Sequence, residues 1–139
     1  MKNIFTLITL SLLSISTAQA QLYNVLSANE DSLFVLDASA NIVQKIGITE
    51  TNSNPIQGYN GMAKNPSNST IYVVVKSTPR YLATFNEAAN TITKVADLSD
   101  KVSGIAFNTQ GILYGITGDG ATSPSTLYTV NTTTGQLIQ

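Results

Sequence analysis

The sequence predicts an all-β fold that is built from repeated four-stranded units. Three observations lead to this prediction: short segments with the period of a strand, turn-forming residues between them, and similar segments that recur along the chain. In residues 126–130, for example, Leu127 and Thr129 are expected to face one side of a strand and the residues between them the other. After residue 20, no segment has a convincing helical stripe of apolar residues.

The first twenty residues are predicted to be a cleaved secretory signal peptide, residues 1–20. A positive charge near the N-terminus precedes the apolar stretch Ile4–Ile15, and the segment ends in Ala18-Gln19-Ala20, the small-x-small pattern that signal peptidase accepts. The stretch is shorter than the roughly 20 apolar residues that a membrane-spanning helix needs. A buried N-terminal helix or a membrane anchor is the alternative. We therefore expect a mature chain, 21–139, that is secreted or lies at the cell surface, in the periplasm or outside the cell, without a membrane span.

Three repeats, spanning about 22–49, 58–98 and 102–139, divide the mature chain. When the chain is slid along itself, matching residues recur at offsets of 42 to 49. A single match could arise by chance in a chain so rich in Ser, Thr and Asn, but several positions that recur in three copies indicate true repeats. The structural repeat positions are Tyr23, Tyr72 and Tyr114, then Leu33, Leu82 and Leu127, and finally Gly61 with Gly104.

The second half of each repeat is predicted to be a β-hairpin. The connections Asp37–Asn41 and Asn131–Gly135 begin with an Asx residue, whose side chain can accept a hydrogen bond from the backbone that follows it. Each connection ends in Asn or Gly, the residues that accept a positive φ. Asn86–Asn90 occupies the same place in the second repeat.

A complete repeat holds four strands, and four-stranded units at this spacing are typical of β-propeller blades. One small sheet cannot cover both of its faces, so neighbouring blades cover them. In the third repeat the predicted strands are Gly104–Phe107, Ile112–Thr117, Thr126–Val130 and Gln136–Gln139.

The predicted strands do not complete a ring. The first repeat supplies three strands and the other two supply four each, which gives eleven strands or about 2¾ blades. Propellers typically have 4–8 blades. Either further blades belong to the same protein, with the strand missing before Leu22 supplied from the far end of the chain, or several chains assemble into one ring. The odd number of strands favours the first of these. In both cases we expect the isolated segment to self-associate, because its apolar faces and strand edges are open.

The repeats resemble those of secreted bacterial β-propeller proteins. The resemblance is carried by LYGI at 113–116 and LYTVNTTTG at 127–135, it is looser to the YVTN and NHL propellers, and it covers residues 22–139. It implies an incomplete propeller and says little about activity, because propellers host many unrelated functions. The N-terminal segment also resembles the export signals of Bacteroidota proteins, which often end in AQAQ.

Three loops carry candidate site residues, and the repeat places them on one rim of the assembled sheets. Asp119, between two glycines, could offer oxygens to Ca²⁺, but the motif lacks the several spaced acids of a Ca²⁺ loop, and a tight turn between two strands is the favoured interpretation. Glu30 and Asp31, in the equivalent loop of the first repeat, could bind a cation or act as acid and base. Arg80, the only Arg, could hold an anionic ligand with two hydrogen bonds. Solvated loop charges are the alternative for all of them.

The tyrosines that recur with the repeat have two interpretations. Tyr23, Tyr72 and Tyr114 could stack on sugars, as aromatic side chains do in lectins. Recurrence at a structural period favours packing between blades instead, because aromatic side chains supply much of the buried area of a core.

The composition excludes several mechanisms and cofactors. The chain has no His and no Cys, so it offers no Ser-His-Asp triad, thiolate nucleophile or Cys/His zinc site. A formal charge of −1 and a pI near 5.1 argue against nucleic acid as a partner. We predict no cofactor, no catalytic residue, and no metal ligands other than the candidate carboxylates named above.

The sequence as a whole favours a secreted, non-enzymatic propeller segment that acts as a binding or structural module of a surface or extracellular protein. Its partner would be a protein or a glycan. The alternatives are a hydrolase or lyase propeller whose catalytic residues lie outside this segment, and a small oligomeric lectin.

Overall fold

The computed structural model describes residues 23–139, in which all regular structure is β-strand. The signal peptide predicted at 1–20 lies outside the described residues. No helix in 23–139 could cross a membrane. The strands are β1 Tyr23–Leu26, β2 Ser32–Leu36, β3 Ile42–Gly47, β4 Thr49–Glu50, β5 Tyr59–Lys64, β6 Ile71–Val75, β7 Tyr81–Asn86, β8 Thr91–Asp97, β9 Val102–Phe107, β10 Leu113–Thr117, β11 Leu127–Val130 and β12 Leu137–Ile138.

The strands form three sheets that follow one another along the chain. The first sheet has the order β1-β2-β3, the second β5-β6-β7-β8 with β4 added at its edge, and the third β9-β10-β11-β12. All pairs are antiparallel except β4 with β8, which is parallel. The prediction of an all-β fold is therefore confirmed, but eleven strands were expected and the described chain has twelve. The additional strand is β4, whose two polar residues show no apolar period; tertiary pairing against β8 creates it.

The hairpin chemistry predicted from the Asx residues is present in all three sheets. Asp37 Oδ1 accepts a hydrogen bond from Ser39 N at 2.9 Å, and Asn131 Oδ1 accepts one from Thr133 N at 2.9 Å. Asn86 does the same with the amide two residues on. Positive φ occurs at Asn90 (53°) and Gly135 (69°), as expected, but in the first hairpin it falls on Ala40 (62°), not Asn41. Asn41 is held instead by two further hydrogen bonds to the Asp37 carboxylate.

Two hydrophobic cores lie between the sheets. The core between the first and second sheets is centred on β6 and β7 and includes Leu33 from the first sheet. The core between the second and third sheets joins Tyr72, Val74 and Leu82 of the second sheet to residues of the third. The third sheet contributes Val102, Leu113 and Val130, and the Tyr72 and Phe107 rings meet at 5.6 Å. Stacked sheets that bury each other's faces are the packing expected of blades.

The inner strands of the second and third sheets approach closely at a glycine. A Cβ on Gly61 would lie 3.1 Å from Ile105 N and 3.3 Å from Gly104 Cα, so backbone meets backbone where β5 crosses β9. Of the two recurring glycines, Gly61 is thus explained by close packing of β5 against β9. At Gly104 a Cβ would meet only the Ile116 side chain, at 3.5 Å.

The strand register places two of the three recurring tyrosines at the same position. Tyr72 lies opposite Thr84 and Tyr114 opposite Thr129. Tyr23 lies opposite Leu36. The equivalent pair in the third sheet is Leu113 with Val130, not the pair that contains Tyr114. The similarity between the repeats pairs Tyr23 with Tyr114, but the connection between β1 and β2 shifts the register by one residue.

Candidate binding cleft

A cleft of about 540 Å³ opens at the rim where the second and third sheets meet. We call it the rim cleft. Its walls come from four connections: β4–β5 (Gln57), β6–β7 (76–80), β8–β9 (98–101) and β10–β11 (118–122). The volume lies within the range of about 300–1,000 Å³ that is usual for small-molecule sites. Two residues that the sequence placed on one rim, Arg80 and Asp119, both line this cleft.

Arg80 is held in the rim cleft through both its backbone and its side chain. The backbone carbonyl of Arg80 accepts a hydrogen bond from Leu98 N at 2.8 Å, which fixes the end of the β6–β7 connection against β8–β9. Its guanidinium is partly buried, and Nη1 donates to the carbonyl oxygen of Val102 at 2.7 Å. Burial lowers the pKa of Arg80, and the nearby Asp100 carboxylate partly opposes this. An arginine is always charged at neutral pH, so this is a fixed cation.

Asp100 organises the loop on the opposite wall. Its Oδ1 accepts a hydrogen bond from Thr122 N at 2.8 Å, and its Oδ2 accepts one from Ser123 N at 3.0 Å. These amides, together with that of Lys101, lower the pKa of the Asp100 carboxyl. The carboxylate is therefore engaged in holding the β10–β11 connection in place.

Asp119 lies in a tight turn, as one of the two interpretations of the Gly118-Asp119-Gly120 motif predicts. Ala121 N donates to the carbonyl of Gly118 at 3.2 Å, and Gly120 has a φ of 76°, which a side chain would strain. The Lys101 ammonium lies against this turn, 3.8 Å from the position a Cβ on Gly120 would take. Within 23–139, no three Asp or Glu side chains cluster as metal ligands would.

Cationic residues are concentrated at the rim cleft. Three of the six Lys and Arg residues in 23–139 line it: Lys76, Arg80 and Lys101. Two of the others, Lys45 and Lys94, form salt bridges elsewhere. Sequence reasoning missed Lys76 and Lys101, because isolated lysines carry no motif.

Lys76 ties the rim of the second sheet to that of the first. Its Nζ donates to Ala28 O at 2.8 Å and to Asn29 Oδ1 at 3.3 Å, both in the β1–β2 connection. The neighbouring acids of that connection are directed elsewhere. Glu30 forms a salt bridge of 2.6 Å with Lys45, and Asp31 is exposed beside a separate pocket that Glu50 also lines. The structure therefore does not bring Glu30 or Asp31 into the rim cleft.

Two of the recurring tyrosines, Tyr72 and Tyr114, lie away from the rim cleft. Tyr72 is 9% exposed and packs in the core between the second and third sheets. Tyr114 lines a shallow apolar pocket on the outer face of the third sheet, with Ile116 and Leu127.

A buried carboxylate that the sequence did not single out lies at the edge of the second sheet. Glu50 is 8% exposed and accepts hydrogen bonds from Asn52 N, Asn54 N and Lys94 N at 2.7 to 3.1 Å. Burial raises the pKa of Glu50, but hydrogen bonds from Asn54, Lys94 and Asn52 outweigh it, so the pKa is lowered overall. Its partners are amide groups of the turn that follows β4 and the backbone amide of Lys94 on β8, which assigns Glu50 a structural role.

Comparison with known proteins identifies the type of fold. No protein-family model matches the chain, and no curated protein matches it. Hydrazine synthase from Kuenenia stuttgartiensis has a similar structure, with a TM-score of 0.51 and 14% identity over 77% of this chain and 29% of that one. A gluconolactonase from Xanthomonas campestris has a TM-score of 0.49 and 18% identity over 78% of this chain and 33% of that one.

The chain spans about a third of the length of these two structures. Both have propeller-type folds. At such low identity, the likeness to hydrazine synthase concerns the fold alone. Together with the three stacked sheets, it shows that residues 23–139 form an all-β structure of the propeller type.

Proposed function

We propose that this chain is a propeller segment of a secreted or cell-surface protein, and that it binds a small carboxylate-bearing, hydroxylated ligand, such as an acidic sugar, in the rim cleft. The observation that carries the proposal is the position of Arg80. Arg80 lines the cleft, and its guanidinium is anchored because Nη1 donates to Val102 O. The remaining donors of a planar guanidinium suit the two oxygens of a carboxylate.

The charges around Arg80 support an anionic ligand. Lys76 and Lys101 also line the cleft, although the chain as a whole is slightly acidic. Concentrated cations of this kind attract anions and raise their association rate. Asp100 is committed to backbone amides, which leaves Asp119 as the acid exposed at the margin of the cleft.

Hydroxyl groups of the ligand have partners as well. Ser77, Thr78, Ser99 and Thr122 line the same cleft, so it offers several neutral donors and acceptors around the cations. A ligand that carries both a carboxylate and hydroxyl groups would use both kinds of residue. This composition supports an acidic glycan unit over an apolar molecule.

A binding role is proposed in preference to catalysis because of the chemistry of the cleft. The chain has no His or Cys, and the Asp100 carboxylate, a possible general base, is occupied by backbone amides. Arginine and lysine at neutral pH are ionised and serve for binding and for charge stabilisation. We therefore expect the ligand to be bound and released unchanged.

The test is calorimetric titration of the full chain with glucuronate, and with glucose as the neutral counterpart. We expect glucuronate to bind and glucose to bind at least about tenfold more weakly, a difference of roughly 1.4 kcal/mol. Binding should weaken as salt is raised from low to physiological ionic strength, because the cleft is open to solvent. Chromatography of the mixture should recover glucuronate unaltered.

Variants locate the site. Arg80→Ala should reduce glucuronate affinity about tenfold or more, and Arg80→Lys should restore it only in part, since lysine cannot offer the planar pair of donors. Lys64→Ala removes an exposed cation outside the cleft and should leave the affinity unchanged. Unaltered affinity in a folded Arg80→Ala protein, or turnover of the sugar, would refute the proposal.

A further inference from the structure

The stack of three sheets ends in two apolar faces that no other described residue covers. The third-sheet end face carries Ile116, Leu127 and Ile138, which are 46%, 60% and 51% exposed. The first-sheet end face carries Val25 and Ile42, which are 44% and 59% exposed. Large apolar side chains grouped on one face are usually covered by a partner.

The third-sheet end face repeats a surface that is buried inside the molecule. Ile116 lies opposite Leu127 in the strand register, just as Val74 lies opposite Leu82 in the second sheet. Val74 and Leu82 are both 0% exposed, because the third sheet packs on them. The same type of face is therefore covered in the second sheet and open in the third.

The first-sheet end face is equivalent to the face of the second sheet that packs on the first sheet. Val25 lies opposite Phe34, and the equivalent pair in the second sheet is Val73 with Ala83. Val73 and Ala83 are 0% exposed, because they belong to the core beneath the first sheet. The two ends of the stack are thus the two complementary halves of the interface that joins consecutive sheets.

A lysine on the first-sheet end face is compatible with such an interface. Lys45 lies opposite Phe34, with its Nζ 5.8 Å from the ring centre. Lys94 occupies the equivalent position opposite Ala83, at the margin of a built core. There its Nζ lies 5.2 Å from the centre of the Tyr81 ring and pairs with a carboxylate. A long side chain can cover apolar surface while its charge reaches water.

We propose that a second copy of this chain covers these faces, the third-sheet end face of each copy packing on the first-sheet end face of the other. The contact is head-to-tail, because two different surfaces meet, and such contacts form rings when the rotation closes. Two copies bring together six sheets, a number within the 4–8 blades of closed propellers. This assembly rests on the packing of the sheets and is independent of the ligand proposed for the rim cleft.

The test is the mass of the full chain in solution by light scattering. We expect twice the mass that the same sample shows under denaturing conditions. Leu127→Lys alters the third-sheet end face and Ile42→Lys the first-sheet end face, both at exposed positions that leave the fold of each copy intact. Each should raise the dimer dissociation constant about 100-fold, as expected when an unpaired charge is buried. Thr109→Lys, in an exposed connection, is the matched control and should stay dimeric.

Mixing the two variants tests the head-to-tail arrangement. In a mixed pair one interface has two native faces, so an equimolar mixture of Leu127→Lys and Ile42→Lys should form dimers that neither forms by itself. A wild-type monomer that unfolds cooperatively, a polymer larger than a dimer, or an Ile42→Lys protein that remains fully dimeric would overturn the proposal. Glucuronate binding by the monomeric Leu127→Lys protein would show that the rim cleft works whatever the assembly state.

Discussion

Replacing Glu50 should show how much of the stability of the second sheet depends on one buried carboxylate. Glu50 ends β4, and its side chain accepts hydrogen bonds from three backbone amides, those of Asn52, Asn54 and Lys94. Hydrogen bonds to a charged group contribute roughly 1.5–3 kcal/mol each, but they are not additive, and water can reach part of this edge. We expect Glu50→Ala to lower the free energy of unfolding by about 2–4 kcal/mol and Glu50→Gln, which keeps one acceptor oxygen, by about 1–2 kcal/mol.

The lowered pKa of Glu50 determines how its contribution to stability changes with pH. Because the pKa of Glu50 is lower in the folded protein than in the unfolded chain, its contribution is present above the ordinary pKa of the unfolded chain, 4.5. That contribution is lost as the pH falls through the lower, folded pKa. The stability difference between wild type and Glu50→Gln should therefore be constant near pH 7 and shrink in acid.

Urea unfolding followed by circular dichroism measures both effects. Chain concentration must be held fixed, since association would stabilise the folded state by mass action. A Glu50→Ala protein within about 0.5 kcal/mol of wild type would refute the reasoning, because that is the range of ordinary surface substitutions. A difference between wild type and Glu50→Gln that does not change with pH would show that the charge of the carboxylate is not what the amides require.

Three further substitutions test other parts of the structure. Gly115→Val should lower the free energy of unfolding by about 1–3 kcal/mol in urea, because even a Cβ there would lie 2.9 Å from Val130 Cγ2. An unchanged free energy of unfolding would mean that the core rearranges to accommodate the larger side chain. Ala40→Gly should stabilise by about 0.5–1 kcal/mol, since Ala40 has a φ of 62°, and a lower thermal midpoint would contradict this. Asp100→Asn should speed hydrogen exchange at the Thr122 amide severalfold and weaken glucuronate binding; unchanged exchange would show that the carboxylate does not hold the loop.

The parts of the fold that the sequence predicts well are those determined by local chemistry. The hairpins at Asp37, Asn86 and Asn131 follow from side chains that bond to their own backbone, and the structure has these bonds. Strand β4 was missed because nothing in Thr49–Glu50 distinguishes it from a loop until β8 lies beside it. The register of Tyr23 depends on the length of one connection, which similarity between repeats does not fix.

The candidate site could be predicted only in outline. Arg80 and Asp119 fall on one rim because the repeat places their connections at equivalent positions, and both line the same cleft. The same argument places Glu30 and Asp31 on that rim, but neither of them lines the cleft. Their connection does lie beside Lys76, but Glu30 forms its salt bridge with Lys45 on β3 instead. No pattern in the sequence predicts this pairing.

The carbonyl oxygen of Val102 connects the Arg80 side chain to the hydrophobic core. Val102 is 0% exposed and packs between the second and third sheets, while its oxygen accepts hydrogen bonds from Arg80 and from Asn60 Nδ2. The cation that we propose to hold the ligand therefore takes its position from how two neighbouring sheets pack. Any change that slides one sheet against the other would move Arg80, so the affinity of the cleft reports the alignment of the sheets.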